Sequence, residues 1–172
     1  GSVSDSLKLE EFNNLSNYLN RGGSLFLSQS RIKTNLQVQQ ALPIQSNIFP
    51  LLNSYGLDLQ SNLVIDQICG RVNVQQQMGP IRMNVPIEYP LLPVIRNFNA
   101  DESIVAGLEQ MQLIFASEIK QDSASMGSVN FQPLFYTSDN SGELRGNFNL
   151  NPDPQQNPFM RIFNKSKLIL GA

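Results

Sequence analysis

Apolar residues recur at helical spacing near the start of the chain. Phe12, Leu15 and Leu19 fall on one face between residues 7 and 20, with Tyr18 beside them, and this spacing predicts an amphipathic helix. Glu10 and Glu11 lie in its first turns, where carboxylates complement the helix dipole. Arg21 closes it, and Gly22 and Gly23 follow as a pair able to take the positive φ of a C-cap. The run "SLFLS" (24–28) then predicts a short buried strand. A dinucleotide-binding loop has the reverse order, with glycines after a strand and before a helix. These glycines therefore predict punctuation, not a phosphate cradle.

Further along, "QSRIKTNLQVQQALPIQS" (29–46) is polar and weakly periodic and predicts a long connection. A helix is expected through "IFPLLNSYGL" (48–57), capped by Asn47 and ended by Gly56. "NLVID" (62–66) predicts a second short strand. The strongest β signal is "RVNVQQQMGPIRMNVPIEYP" (71–90). There Ile81, Met83, Val85 and Ile87 alternate with Arg82, Asn84, Pro86 and Glu88, and Val72 and Val74 repeat the pattern before a turn at Met78-Gly79-Pro80. This predicts a hairpin with one buried face, and Pro86 places its strand at a sheet edge. Beyond it lie a proline-punctuated connection, a short helix at 102–106, a strand at 111–115, and an apolar segment at 131–136 running into a Ser/Asp/Asn loop. Residues 143–159 are rich in turn formers and predict a mobile stretch, and "SKLILGA" (166–172) predicts a closing strand. Few strong helices, several short strands and long polar connections favour a mixed α/β sheet domain.

Composition narrows the function classes. The chain has 172 residues, 41% of them apolar, which is enough for one domain with a real core. Charged residues make up only 15% and the net charge is −2, so nothing draws the chain to nucleic acid or anionic lipid. No apolar run approaches the ~20 residues that span a membrane. Residues 1–6 read as an expression remnant and linker. Residues 7–172 read as a single domain, expected to be a fragment of a longer, membrane-anchored protein.

The chemistry-bearing residues are few. There is no histidine, which excludes Ser-His-Asp and Cys-His mechanisms within the chain and removes the commonest transition-metal ligand. The single cysteine, Cys69, is open to two readings: a nucleophile activated by Arg71, or a small buried hydrophobe. Glu10-Glu11 and Asp101-Glu102 are adjacent in sequence and diverge on a helix, although carboxylates from distant segments could still meet as a glycosidase pair. "SDNSGE" (138–143) hints at a calcium loop but lacks the alternating ligand order of an EF-hand, and reads better as a hydrogen-bonded turn. No Walker-type motif is present. No cofactor or metal is expected.

Four collinear segments carry a family resemblance. "LKLEEFNNLSNYLNRGGSLFLSQS" (7–30), "LLNSYGLDLQSNLVID" (51–66), "IEYPLLPVIRNFNADESIVAGLEQMQLIFASEI" (87–119) and "PLFYTSDNSG" (133–142) together resemble the GldG-like auxiliary proteins of bacterial ABC transporters. The resemblance implies a three-layer α/β sandwich like the class I glutamine amidotransferases (flavodoxin-like), here with an added β-hairpin and without catalytic apparatus. It also implies a periplasmic or extracytoplasmic, non-enzymatic module that works beside permease and ATPase subunits. Such a module would be held to the membrane by helices outside this chain, with a link to gliding motility or export, and would contact a protein or polysaccharide. The sequence departs from the family's pattern where an Asp often follows the Gly-Gly strand: Ser28, Gln29 and Ser30 stand there instead. In open α/β sheets ligands favour the carboxyl edge. That rule nominates Ser28, Gln29, Ser30 and Arg31 after the first strand, and Thr137, Ser138, Asp139 and Asn140 after the later one. The alternative is a glycan or small-molecule binder without a transporter partner, its pocket holding an aromatic such as Phe26, Phe135 or Tyr136.

Overall fold

The run Leu63-Val64-Ile65 has no polar alternation, the signature of a strand covered on both faces. A computed structural model, which describes residues 6–78, 81–125, 129–146 and 148–172, shows this arrangement. The strand Leu63–Asp66 is buried at all four positions. Leu63 and Ile65 enter one core cluster with Tyr89, Leu91, Phe148 and Leu150, and Val64 enters a second with Ile95, Leu168 and Leu170. One strand thus separates two cores. Each of its three aliphatic side chains is fully buried, worth roughly 1.5–3 kcal/mol apiece.

Two α-helices lie among the described residues, α1 (Leu9–Asn20) and α2 (Ile48–Ser54), with short 3-10 turns at Ser103–Val105, Ser123–Ser125 and Pro158–Arg161. The strands in chain order are β1 (Ile32–Asn35), β2 (Gln40–Pro43), β3 (Leu57–Leu59), β4 (Leu63–Asp66), β5 (Cys69–Met78) and β6 (Ile81–Ile95). They continue with β7 (Asn97–Phe98), β8 (Met111–Gln112), β9 (Ile119–Gln121), β10 (Phe135–Tyr136), β11 (Ser141–Leu144) and β12 (Ile169–Gly171). They form small sheets ordered β1-β2, β3-β9, β11-β4, β5-β6-β8 and β12-β10-β7. The architecture is mixed α/β, and every pairing among the described residues is antiparallel.

The helix expected at 7–20 is α1, and Gly22 and Gly23 close it. Gly22 sits at φ +85, its N–H donating to the Leu19 carbonyl at 2.9 Å while Gly23 donates to the Tyr18 carbonyl at 3.0 Å. This is the Schellman pattern. The strand expected at 24–28 is absent. The segment is irregular and pairs with no strand: Phe26 is 88% exposed, and only Leu27 packs inward, onto the cluster around Ile48 and Phe49.

Elsewhere the structure corrects the sequence reading in specific ways. The long connection at 29–46 contains the β1–β2 hairpin, with Ile32 and Ala41 buried. Asn47 precedes α2, but its side chain makes no cap; it clasps both the N–H and the carbonyl of Leu7, at 2.9 and 3.0 Å. Gly56 follows α2 at φ +84, as expected. The β5–β6 hairpin forms with Val74 opposite Val85, while the turn residues Gly79 and Pro80 lie outside the described residues. The proline-punctuated connection is in fact the second half of β6, where Leu91 and Ile95 are buried. The strand at 111–115 shortens to β8, although the Leu113 and Phe115 N–H groups still donate to the Pro93 and Leu91 carbonyls of β6, at 2.9 and 3.1 Å. The stretch 143–159, expected to be mobile, supplies Leu144, Phe148 and Leu150 to the main core.

Candidate functional site

β4 is the central strand, and a buried polar residue stands at each end of it: Asn62 before Leu63, and Asp66 as its last residue. An unpartnered polar group there would forfeit its hydration. Both ends therefore gather loops that supply partners.

At the Asn62 end, the Asn62 carbonyl accepts from the Ser117 hydroxyl at 2.8 Å, and its Oδ1 accepts from the Glu118 N–H at 3.0 Å. Its Nδ2 donates to two carboxylates, Glu143 at 2.6 Å and Glu118 at 3.3 Å. Arg145 braces the same pair, its Nη2 lying 2.7 Å from Glu143 and 3.9 Å from Glu118. Lys165 approaches Glu143 at 3.9 Å and Lys120 approaches Glu118 at 3.6 Å. Burial alone would raise the Glu143 pKa, but hydrogen bonds from Arg145 and Asn62 outweigh it and hold the carboxyl below its ordinary value. Two carboxylates from distant segments do meet, as a glycosidase pair would require. A catalytic pair, however, needs one member kept protonated, and these are bound by cations. The arrangement is an ion network that ties β9, β11 and β4 together.

The first group of nominated residues joins this end. Ser30 Oγ lies 3.1 Å from Ser117 Oγ, and the Arg31 N–H donates to Ser117 Oγ at 3.1 Å. The Arg31 guanidinium donates to the Leu59 carbonyl at 2.8 Å and stacks over Phe49 at 4.8 Å. Gln29 donates to the Ser30 carbonyl at 2.6 Å, and Ser28 is exposed.

The second group sits at the opposite end of β4. Asp66 accepts from the Ser138 N–H and hydroxyl at 2.7 and 2.6 Å, and from the Ile68 N–H at 2.9 Å. Thr137 is fully buried; its hydroxyl donates to Ser141 at 2.9 Å and accepts from the Leu168 N–H at 2.8 Å. The Asn140 N–H donates to Ser138 Oγ at 3.1 Å, and Asp139 and Lys167 face each other at 4.0 Å on the surface. "SDNSGE" is a hydrogen-bonded turn that holds Asp66. The two nominated groups are therefore not one site, because the length of β4 lies between them. Asn62, Glu118, Glu143 and Arg145 do converge, and the sequence reading missed them.

A concave surface lies elsewhere. A shallow cleft of about 300 Å³ opens beside the base of the β5–β6 hairpin, lined by Gln67, Cys69, Glu88, Pro90, Arg161 and Phe163 among others. None of Phe26, Phe135 and Tyr136 lines it; Phe135 packs edge-on against Phe98 at 6.1 Å. Cys69 is half-buried, and its thiol pKa is raised, first by burial and then by Glu88. Arg71, the supposed activator, instead faces Glu88 at 3.8 Å. The small-hydrophobe reading of Cys69 fits this geometry.

No described helix is long and apolar enough to cross a membrane. No curated protein and no solved structure matches the chain. One family model, described as ABC-type uncharacterized transport system, matches residues 3–172. With that match running across both cores and both polar ends of β4, the chain belongs to this family of auxiliary components of ABC-type transport systems.

Proposed function

We propose that this chain is a non-catalytic, extracytoplasmic module that works beside the permease and ATPase subunits of a bacterial ABC transporter. The family match over residues 3–172 carries the reading. The Glu118–Glu143 pair supports it, since among the described residues these two carboxylates share the Arg145 guanidinium and hold neighbouring strands together. A GldG-like role in gliding motility or export is a narrower form of the same proposal, resting on the four collinear segments. The flavodoxin-like three-layer sandwich is not part of it: a parallel sheet is the heart of that fold, and the described pairings are antiparallel.

The test is purification of the full-length protein from native membranes in mild detergent. Recovery with permease and ATPase subunits is expected; recovery alone, while other complexes in the same extract stay intact, overturns the proposal. A second reading, a glycan or small-molecule binder, has one observation behind it, the cleft with Phe163 and Arg161 on its walls. It predicts that Phe163→Ala weakens retention on an immobilised polysaccharide without altering subunit recovery.

A further inference from the structure

The loop 149–157, "NLNPDPQQN", places Asn149, Asn151, Asp153, Gln155 and Asn157 at every second position. Successive side chains fold it. Asn149 Oδ1 accepts from the Asn151 N–H, Asn151 Oδ1 from the Asp153 N–H, and Asp153 Oδ1 from the Gln155 N–H, each at 2.9 Å. Such turns are ordinary loop chemistry and by themselves mark no ligand. Two other features do.

Asn157 is 1% exposed, and its Nδ2 donates to the carbonyls of Asn149 at 2.7 Å and Asn151 at 3.2 Å. These bonds fix the carboxamide inside the loop and settle which atom is nitrogen. Its Oδ1 is buried and accepts from no donor among the described residues. A buried carbonyl of this kind is rare and calls for a partner. Asp153, whose carbonyl accepts from the Asn157 N–H at 2.9 Å, lies in the same turn. Among the described residues its carboxylate accepts only from neutral donors, the Gln155 N–H and Gln156 Nε2, and forms no ion pair. It keeps lone pairs beyond those two bonds. Asn157 Oδ1 thus lacks any partner, and the half-buried Asp153 carboxylate lacks a cationic one among the described residues.

We propose that the loop 149–157 binds a hard, oxygen-seeking divalent cation of the Ca²⁺ class, through the Asp153 carboxylate and Asn157 Oδ1. The loop's side chains carry oxygen and amide groups but no imidazole or thiolate, a donor set that suits Ca²⁺ rather than transition metals. A buried water would satisfy Asn157 alone, whereas a cation would satisfy it and also neutralise the half-buried Asp153 carboxylate. With a single carboxylate the affinity belongs at the weak end for such sites, about 10⁻⁴–10⁻³ M. Pro152 and Pro154 of the loop form part of the cleft wall, so the cation would stiffen that wall. This inference is independent of the transporter reading.

The experiment is a CaCl₂ titration of the 172-residue chain by calorimetry, with thermal unfolding followed in parallel against NaCl of matched ionic strength. Saturable one-site binding with a rise in Tm is expected. Asp153→Asn should weaken the binding at least tenfold, while Asp101→Asn, an exposed carboxylate outside the loop, should leave it unchanged. No saturable binding up to about 10 mM, tenfold above the weak end of the range, overturns the inference, as does unchanged binding in Asp153→Asn. Should that variant fail to fold, a crystal of the unaltered chain grown in CaCl₂ decides. A cation ligated by Asp153 and Asn157 supports the site, and a water on Asn157 Oδ1 overturns it.

Discussion

Ser138 donates both its backbone N–H and its hydroxyl to the carboxylate of Asp66, at 2.7 and 2.6 Å, across 72 residues of sequence. A fully buried carboxylate at the end of the central strand is thereby held by neutral donors, with the Ile68 N–H as a third. Hydrogen bonds to a charged group are worth about 1.5–3 kcal/mol each, and removing the shared acceptor strands all three donors. Asp66→Ala should therefore cost at least about 4 kcal/mol, and Ser138→Ala, which loses one of the three bonds, about a third of that. Urea unfolding midpoints measure both. Equal costs for the two variants would show that Asp66 is not the hub of this turn.

A buried phenol supplies a second prediction. The Tyr89 hydroxyl donates to the Leu150 carbonyl at 2.6 Å beneath the loop that follows β11, and burial pushes its pKa up to about 12. The folded state thus favours the protonated phenol. Its contribution is complete below the ordinary value of 10.0 and is lost as pH rises from there to about 12. Tyr89→Phe should cost about 1 kcal/mol at neutral pH by losing the hydrogen bond, and should flatten the alkaline limb of stability. A Tyr89→Phe limb as steep as the original would place the alkaline sensitivity elsewhere.

These two contacts also show where sequence reading succeeds and where it stops. Local periodicity predicts α1 and the β5–β6 hairpin, and an unbroken apolar run predicts β4, each from a few neighbouring residues; the hairpin face expected to be buried is only half covered, with Met83 exposed. Gly22 and Gly56 mark helix ends for the same local reason, both taking positive φ. Prolines mislead in β6: Pro90 and Pro93 suggest a broken connection, yet the Pro93 carbonyl accepts from the Leu113 N–H at 2.9 Å and the strand runs on. The run at 24–28 misleads the opposite way, being apolar enough for a strand but having no partner edge. Ser30 meeting Ser117 and Asp66 meeting Ser138 are long-range pairings that one sequence does not encode in any spacing. The carboxyl-edge rule that nominates the loops of Ser30 and Ser138 presumes a parallel sheet, and the antiparallel pairing of β4 with β11 removes the premise.

The ion network at Asn62 yields the third prediction. The Glu143 carboxyl is held below its ordinary value of 4.5: burial opposes the charge, but the hydrogen bonds from Arg145 and Asn62 and the charge of Lys165 more than offset it. For a carboxylate lowered in the folded state, the stabilising contribution is present above the unfolded value and is lost as pH falls through the folded one. Glu143→Gln keeps one acceptor oxygen and removes the charge. It should lower stability at pH 7 and weaken the acid dependence below about pH 4.5. Subtracting the variant's pH–stability curve from that of the unaltered chain isolates the effect from the other thirteen acidic residues. The difference should be flat above the ordinary carboxylate range and shrink toward acid. Arg145→Met in the same background tests the cause, because with Glu143 already uncharged any further acid dependence reports only the 3.9 Å contact of Arg145 with Glu118. A difference curve that stays flat down to pH 2, roughly two units below a normal carboxylate, would mean that Arg145 and Asn62 do not hold Glu143 more tightly in the folded chain than water does in the unfolded one.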